Sequence, residues 1–301
     1  MIMNNTIPLN RRRFIVGAAA FSALSLAQPV SSFGQSEGRK FCAFEKPLQF
    51  LNYDELADLL AERGFDGVEA TVREGGHVLP ERVEQDLPRL HESLKKRALE
   101  ITVLTSGINS SDSPHAEKVL RIASKLGVKR YRMLWYQYDL QKPVLPQLEA
   151  IRPKLKKLAA LNRQLGLTAL YQNHSGDKMV GAPIWDIYSV IKDFDPKEIA
   201  LAYDTRHAAV EGGLSWPIQF NLVRSHLGAV FVKDFVWEKG RVKDVPLGTG
   251  LVDKKVFARL QEMNFAGPFS VHVEYLEGSK DKTALGDALK KDRETLKALL
   301  G

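Results

Sequence analysis

The sequence predicts an α/β fold, a single (β/α)₈ TIM barrel, because eight short apolar runs alternate with amphipathic stretches and no glycine-rich phosphate loop follows the first of them. The runs lie at 41–44, 67–72, 101–105, 131–135, 167–171, 199–203, 229–232 and 269–273. Between them, Leu56, Leu59, Leu60 and Phe65, then Leu87, Leu90 and Leu94, then Val119, Leu120, Ala123 and Leu126 recur at helical spacing. The longest such stretch holds Leu155, Leu158, Ala159, Leu161 and Leu165; Val256, Phe257 and Leu260 mark a later one, and Leu285, Leu289, Leu296 and Leu299 close the chain. Asn52, Ser113 and Asp253 are placed to cap helix starts, and Gly64, Gly127 and Gly166 to end helices ahead of the next strand. A doubly wound open sheet is the competing architecture. The lack of a Gly-x-Gly-x-x-Gly turn speaks against it and against a nucleotide cofactor.

The N-terminus has a different character. Arg11, Arg12 and Arg13 precede Phe14-Ile15-Val16, an Ala-rich apolar stretch follows, and Ser25-Leu26-Ala27 offers a small-x-small cleavage site. About 13 apolar residues fall short of the roughly 20 that span a bilayer. Residues 1–27 therefore read as an export signal of the twin-arginine type, 28–39 as a polar Gly/Ser-rich linker, and 40–301 as the barrel domain. Cleavage near Ala27 would place the folded domain in the periplasm. Residues 1–27 carry three arginines and no acid, so the formal charge falls from +7 to +4 when they leave. The remaining Lys and Arg, such as Lys95-Lys96-Arg97, are interleaved with acids like solvated helix faces, which argues against a nucleic-acid partner. Cys42, the only cysteine, excludes an internal disulfide and a cysteine-rich zinc site.

In such barrels chemistry sits at the C-terminal ends of the strands and in the loops after them. That rule selects Arg73 and His77 around a Gly-Gly turn, Trp135-Tyr136, Gln172-Asn173-His174-Ser175-Gly176, Asp204-Thr205-Arg206-His207, Lys233-Asp234 and His272-Val273-Glu274-Tyr275. Strand alternation adds that if Phe231 points inward, so does Lys233, one pleat nearer the mouth. His272 reads as a satisfied core histidine deeper than Glu274. His91, His115 and His226 fall on helical stretches as surface or packing residues.

Gln-Asn-His-Ser-Gly, Asp-Thr-Arg-His, Val-Lys-Asp-Phe and His-Val-Glu-Tyr, in this order, resemble the xylose-isomerase-like sugar phosphate isomerase/epimerase family over roughly residues 40–300. The resemblance implies one divalent metal, Mn²⁺, Mg²⁺ or Zn²⁺, held at positions that correspond here to Gln172, Asp204, Phe231 and Glu274. Two of these match in type and two depart. Gln172 retains a neutral carbonyl oxygen, so Asp204, Glu274 and Gln172 form the expected metal set, with His207 or His174 as replacement ligands; Phe231 cannot coordinate. His207 matches a substrate-binding histidine of the family.

The implied chemistry removes a proton beside a carbonyl and stabilises the enediolate. The expected catalytic residues are Glu274 as base with Lys233 and His207, and the expected substrate-binding residues are Arg73, His77, Tyr136, Asn173, His174 and Arg206. Gln172 cannot be a second base, so isomerisation or elimination/hydration of a small carbohydrate, a keto-sugar or keto-glycoside, fits better than two-face epimerisation. A non-catalytic carbohydrate-binding barrel and an endonuclease-like phosphodiesterase are the competing readings; the latter needs more His and acid ligands than these strand ends offer. Expected partners are the carbohydrate and, through the signal, the export machinery, with homo-oligomerisation left open. Replacing Arg11, Arg12 and Arg13 together by Lys should trap precursor in the cytoplasm, read by fractionation. Normal export of the triple variant would remove the twin-arginine assignment.

Overall fold

The computed structural model describes residues 38–301, so the expected export signal and nearly all of the expected linker lie outside the described residues. Eight parallel strands close into a barrel: β1 (Phe41–Phe44), β2 (Gly67–Val72), β3 (Glu100–Ser106), β4 (Arg130–Arg132), β5 (Thr168–Gln172), β6 (Ile199–Asp204), β7 (Leu227–Val232) and, last in chain order, β10 (Phe269–Val271). Neighbours follow the chain around the circle, and β1 closes on β10 through Phe41↔Phe269, Cys42↔Ser270 and Ala43↔Val271. The eight apolar runs are these strands. Their near-continuous burial reflects a parallel sheet covered on both faces.

The main helices between them are α1 (Tyr53–Glu62), α2 (Val83–Lys95), α3 (Ala116–Lys125), α4 (Val144–Leu165), α8 (Lys255–Glu262) and α9 (Lys282–Leu300). Each lays its apolar stripe on the outside of the barrel. Leu87, Leu90 and Leu94 of α2 are fully buried, each worth about 1.5–3 kcal/mol relative to exposure. Asn52 caps α1 in a capping box with Glu55, and Gly166 ends α4 with φ +66°. Asp253 accepts from the Lys255 N–H at the start of α8. Ser113 does not cap α3. Its hydroxyl accepts from the Asn109 and Ser110 N–H groups, and His115, left-handed at φ 58° and outside the helix, precedes Ala116 instead. A serine before a proline is equally suited to a turn, and the turn prevails.

Three further helices, α5 (Trp185–Ile191), α6 (Thr205–Gly212) and α7 (Trp216–Val223), lie outside the stretches assigned helical spacing from the sequence. The expectation of plain strand–helix alternation also missed a hairpin after β7, formed by β8 (Asp234–Glu238) and β9 (Arg241–Val245). Lys239 and Gly240, both at positive φ, make its two-residue turn, which suits the twist of the flanking strands. Asp234 anchors this insertion. Its buried carboxylate accepts N–H groups from Phe235, Gly248, Gly250 and Val252. A Cβ on Gly250 would stand 2.3 Å from Asp234 Oδ1, so only glycine fits there.

At the other side of this insertion Asp292 of α9 accepts from the Leu247 N–H and the Tyr275 hydroxyl. Burial pushes its carboxyl up to about 6 despite those two bonds. An acid raised in the folded state costs stability as pH rises from its unfolded value, near 3.9, through the folded one. Asp292→Asn keeps the acceptor for Leu247 and is expected to raise the melting temperature at pH 7.5, by the equivalent of about 1–3 kcal/mol. The gain should shrink towards pH 5. A melting temperature unchanged or lowered at pH 7.5 would count against the buried-charge explanation.

Candidate active site

The barrel mouth gathers side chains from β5, β6, β7 and the segment after β10 around one ammonium. Lys233, just after β7, is 5% exposed; its Nζ lies 2.9 Å from Asp204 Oδ2, 3.1 Å from Glu274 Oε2 and 3.1 Å from His207 Nε2. Its backbone is fixed by Thr205, whose hydroxyl accepts from the Lys233 N–H and donates to the Lys233 carbonyl. Asp204 ends β6 and caps α6: Oδ1 accepts from the His207 N–H at 3.0 Å while Oδ2 turns to Lys233. That cap is why His207, three residues on, returns to the same place. Burial is the largest influence and raises the Asp204 and Glu274 carboxyls, but the Lys233 charge together with the other cations and hydrogen-bond donors around them holds both below the usual carboxylate range.

His207 is buried beside two cations, Lys233 Nζ and Arg206 Nη2, the latter 3.2 Å from Nε2. Burial and then those charges hold its pKa well below 6.5, so the ring is neutral. Donors face both ring nitrogens: Lys233 and Arg206 at Nε2, and at Nδ1 the Ser175 N–H at 3.1 Å, with the Ser175 hydroxyl 2.6 Å from the same atom. Arg206 also reaches Asp244 of β9 at 3.2 Å and Glu274 at 3.9 Å. His174 lies against His207, ring centroids 4.1 Å apart, with Trp135 beyond it at 5.7 Å. Asp244 was missed at the level of sequence, and Ser175 was singled out there only as part of its stretch, without a role. Asp244 sits on the unforeseen hairpin, and Ser175 has no signal beyond its place in Gln-Asn-His-Ser-Gly.

Gln172 departs from the expected metal role. Its Oε1 accepts from Arg132 Nη1 at 2.7 Å, and its Nε2 donates to Asp204 Oδ2 at 2.7 Å. The amide is a neutral spacer between a guanidinium and a carboxylate, a position that a second carboxylate could not hold without repelling Asp204. Phe231 is fully buried inside the barrel with Val103, Leu170, Ala200, Ala202 and Ala229. Among the described residues no group of three or more His, Cys, Asp or Glu side chains is disposed to hold a metal ion. The donor set does not fit the divalent ion that the resemblance implies: one ligand position is apolar, one is engaged by Arg132, and the two carboxylates converge on Lys233.

Several expected substrate-binding residues stand elsewhere. Tyr136 is packed parallel to Tyr171, its hydroxyl donating to the Asn109 carbonyl. Asn173 clamps the backbone of Asp204 through both its amide groups. His77 is tied to Glu45 at 3.2 Å and packs edge-on to Tyr53, so it serves the Gly-Gly turn. Arg73 follows β2 half-buried; its carbonyl accepts from the Gly76 N–H, while its guanidinium makes no hydrogen bond or ion pair with another described residue. His272 is buried as expected but not fully satisfied: Nε2 meets Glu69 at 2.8 Å while Nδ1 has no partner. Glu69 and Arg132, both buried in strands, were hidden among apolar neighbours in the sequence.

Removing the ammonium should expose the cost of this arrangement. Lys233→Met leaves the buried Asp204 carboxylate and the partly buried Glu274 carboxylate without their ammonium, a change worth about 3–5 kcal/mol when one partner of a buried pair is lost. Without the cation both carboxyls titrate upward, so the penalty applies above their raised values and fades as pH falls towards 4. Thermal unfolding of wild type and variant at pH 5 and pH 7.5 measures this, and an equal deficit at both would contradict it.

Comparisons with known proteins agree with the barrel. The chain matches the profile of the xylose isomerase-like TIM barrel family over residues 57–299, while no curated protein gives a significant match. Among solved structures it is similar to a probable 3-DHS dehydratase, AsbF, of Bacillus anthracis (16% identity, 86% of this chain and 98% of that one, TM-score 0.63). It is also similar to the 3-keto-D-glucoside 4-epimerase YcjR of E. coli (16% identity, 85% and 99%, TM-score 0.64). A third is the IOLI protein with a bound zinc atom (18% identity, 87% and 98%, TM-score 0.67). At these identities the likeness is one of fold. The profile match spans most of the chain, and the protein belongs to the xylose isomerase-like TIM barrel family.

Proposed function

We propose that this protein is a carbohydrate-modifying enzyme that removes a proton next to a carbonyl, with Glu274 as the base and Lys233 holding the oxygen on which charge develops. The observation that carries this reading is the Lys233 ammonium within 3.1 Å of Glu274, Asp204 and His207 at the C-terminal mouth of the barrel. A substrate carbonyl oxygen presented to Nζ takes a share of its positive charge. Glu274, held acidic by that charge at rest, then becomes the stronger base. It takes the α-proton, the C–H electron pair becomes the new C=C bond, and the carbonyl π pair moves onto oxygen as the enolate. Asp204, fixed by its helix cap and by Gln172, keeps the ammonium in place throughout.

Two outcomes follow from that enolate. Return of the proton to the former carbonyl carbon, with the α-hydroxyl proton passing to the enolate oxygen, gives isomerisation; departure of a β-substituent with its bonding pair, as the carbonyl re-forms, gives elimination. Neutral His207 and the Arg206 guanidinium stand close enough to Glu274 and Lys233 to meet the substrate's hydroxyls. A probable dehydratase and a keto-glucoside epimerase among the structural neighbours are in keeping with chemistry beside a carbonyl. The proposal includes export, resting on the arginine-led N-terminus, and a free or oxidised sugar as substrate.

Proton–deuterium exchange of keto-sugars in D₂O, followed by NMR, tests the reading. Glu274→Gln preserves the shape of the site and should slow exchange by at least about 100-fold, the lower range for a lost general base. Exchange by the wild-type protein is expected to survive exhaustive chelation, since the cation is part of the chain. Wild-type exchange in Glu274→Gln would remove it as the base, and activity lost to chelator and restored by Mn²⁺ would overturn the role given to Lys233.

A further inference from the structure

We infer that a cleft beside Glu274 is a subsite for a second sugar ring, so that the substrate is a glycoside or disaccharide whose reacting ring lies against Lys233. The inference rests on the proposed reading of Glu274 for its reactive end and on the cleft itself for the rest. The cleft holds about 330 Å³ and lies between the segment after β1 and the loop after β10; Glu274 forms one wall, with Lys46, Gln49, Phe50, Glu277 and Lys280 around it. That volume is within the range of small-molecule sites, and Glu274, the proposed base, is among the residues that line it.

Its lining has the pattern that a pyranose needs. Phe50 is 40% exposed, a large apolar ring left in contact with solvent. The C–H face of a sugar covers such a ring, and the hydroxyls at its edge need polar partners around it. Gln49 supplies one in a fixed orientation. Its Nε2 donates to Thr71 Oγ1 at 2.6 Å, and that hydroxyl in turn donates to Glu45, which leaves the Gln49 carbonyl oxygen to accept from a ligand. Lys46 pairs with Glu277 at 2.5 Å, joining the two walls of the cleft across 231 residues of sequence. A second cavity, about 440 Å³, lies by Trp216, Phe235 and Trp237; it touches Thr205, which pins the Lys233 backbone, but Asp204, His207 and Glu274 do not line it.

NMR titration with two unreactive probes, D-glucose and cellobiose, tests the subsite on the full domain. Wild type should bind cellobiose more tightly, and Phe50→Ala should cut the cellobiose-to-glucose affinity ratio roughly three- to tenfold, the scale of one lost ring contact. Phe50→Tyr should retain the ratio. Equal affinities in wild type, or a ratio unchanged in Phe50→Ala, overturns the subsite. Exchange of a keto-monosaccharide in D₂O, measured in parallel, separates the two claims. Exchange present with no cellobiose preference sinks the subsite alone, whereas a Phe50-dependent preference without exchange upholds the subsite and sinks the assignment of Glu274.

Discussion

The ammonium of Lys233 is the contact on which the mouth of this barrel depends. Two carboxylates, a neutral imidazole and the end of an arginine network are all placed with respect to it, and each would be costly in that position without it. Burial alone would drive Asp204 and Glu274 towards their protonated forms. With the Lys233 ammonium about 3 Å away the opposite charges stabilise each other, and the site keeps a strong positive centre out of bulk water. A positive centre of that kind, prearranged and poorly hydrated, is what a developing oxyanion requires.

The rest of the architecture keeps that ammonium still. Thr205 pins the backbone of Lys233, and Asp204 is pinned twice, by capping α6 and by the Gln172 amide. Gln172 is itself oriented by Arg132, so a line of alternating donor and acceptor runs from β4 to β7 across the strand ends. The β8–β9 hairpin adds a wall that plain strand–helix alternation lacks and brings Asp244 to Arg206. Asp234 holds the loop beyond that hairpin by three backbone N–H groups, which explains why an acid follows Lys233 although it takes no part in the cluster.

Two departures from the family's metal-binding pattern gain a common explanation here. An amide at position 172 and a phenyl ring at 231 look like unrelated losses when each is set against a ligand list. In three dimensions both suit a site organised by an internal cation: the amide avoids a third negative charge next to Asp204, and the ring fills the barrel interior beneath Lys233 against His272. Arg206 and neutral His207 then complete a mouth in which positive charge comes from the chain itself.

The sequence by itself determined the barrel and most of the strand ends that carry the site. Eight apolar runs separated by helical periodicity admit few other closed arrangements, and the polar residues that follow such runs are carried to one end of the barrel by strand direction alone. Glu274, Asp204, His207 and Lys233 were legible for that reason. Only the tertiary structure decided their partners. Whether Gln172 faces a metal or Arg132, whether Tyr136 and Asn173 face a ligand or the packing, and whether His272 is fully satisfied depend on side chains from strands up to 200 residues apart. Periodicity says which face of a strand a residue occupies. Which neighbour reaches it across the barrel is fixed by strand register, and no local pattern in the chain encodes that.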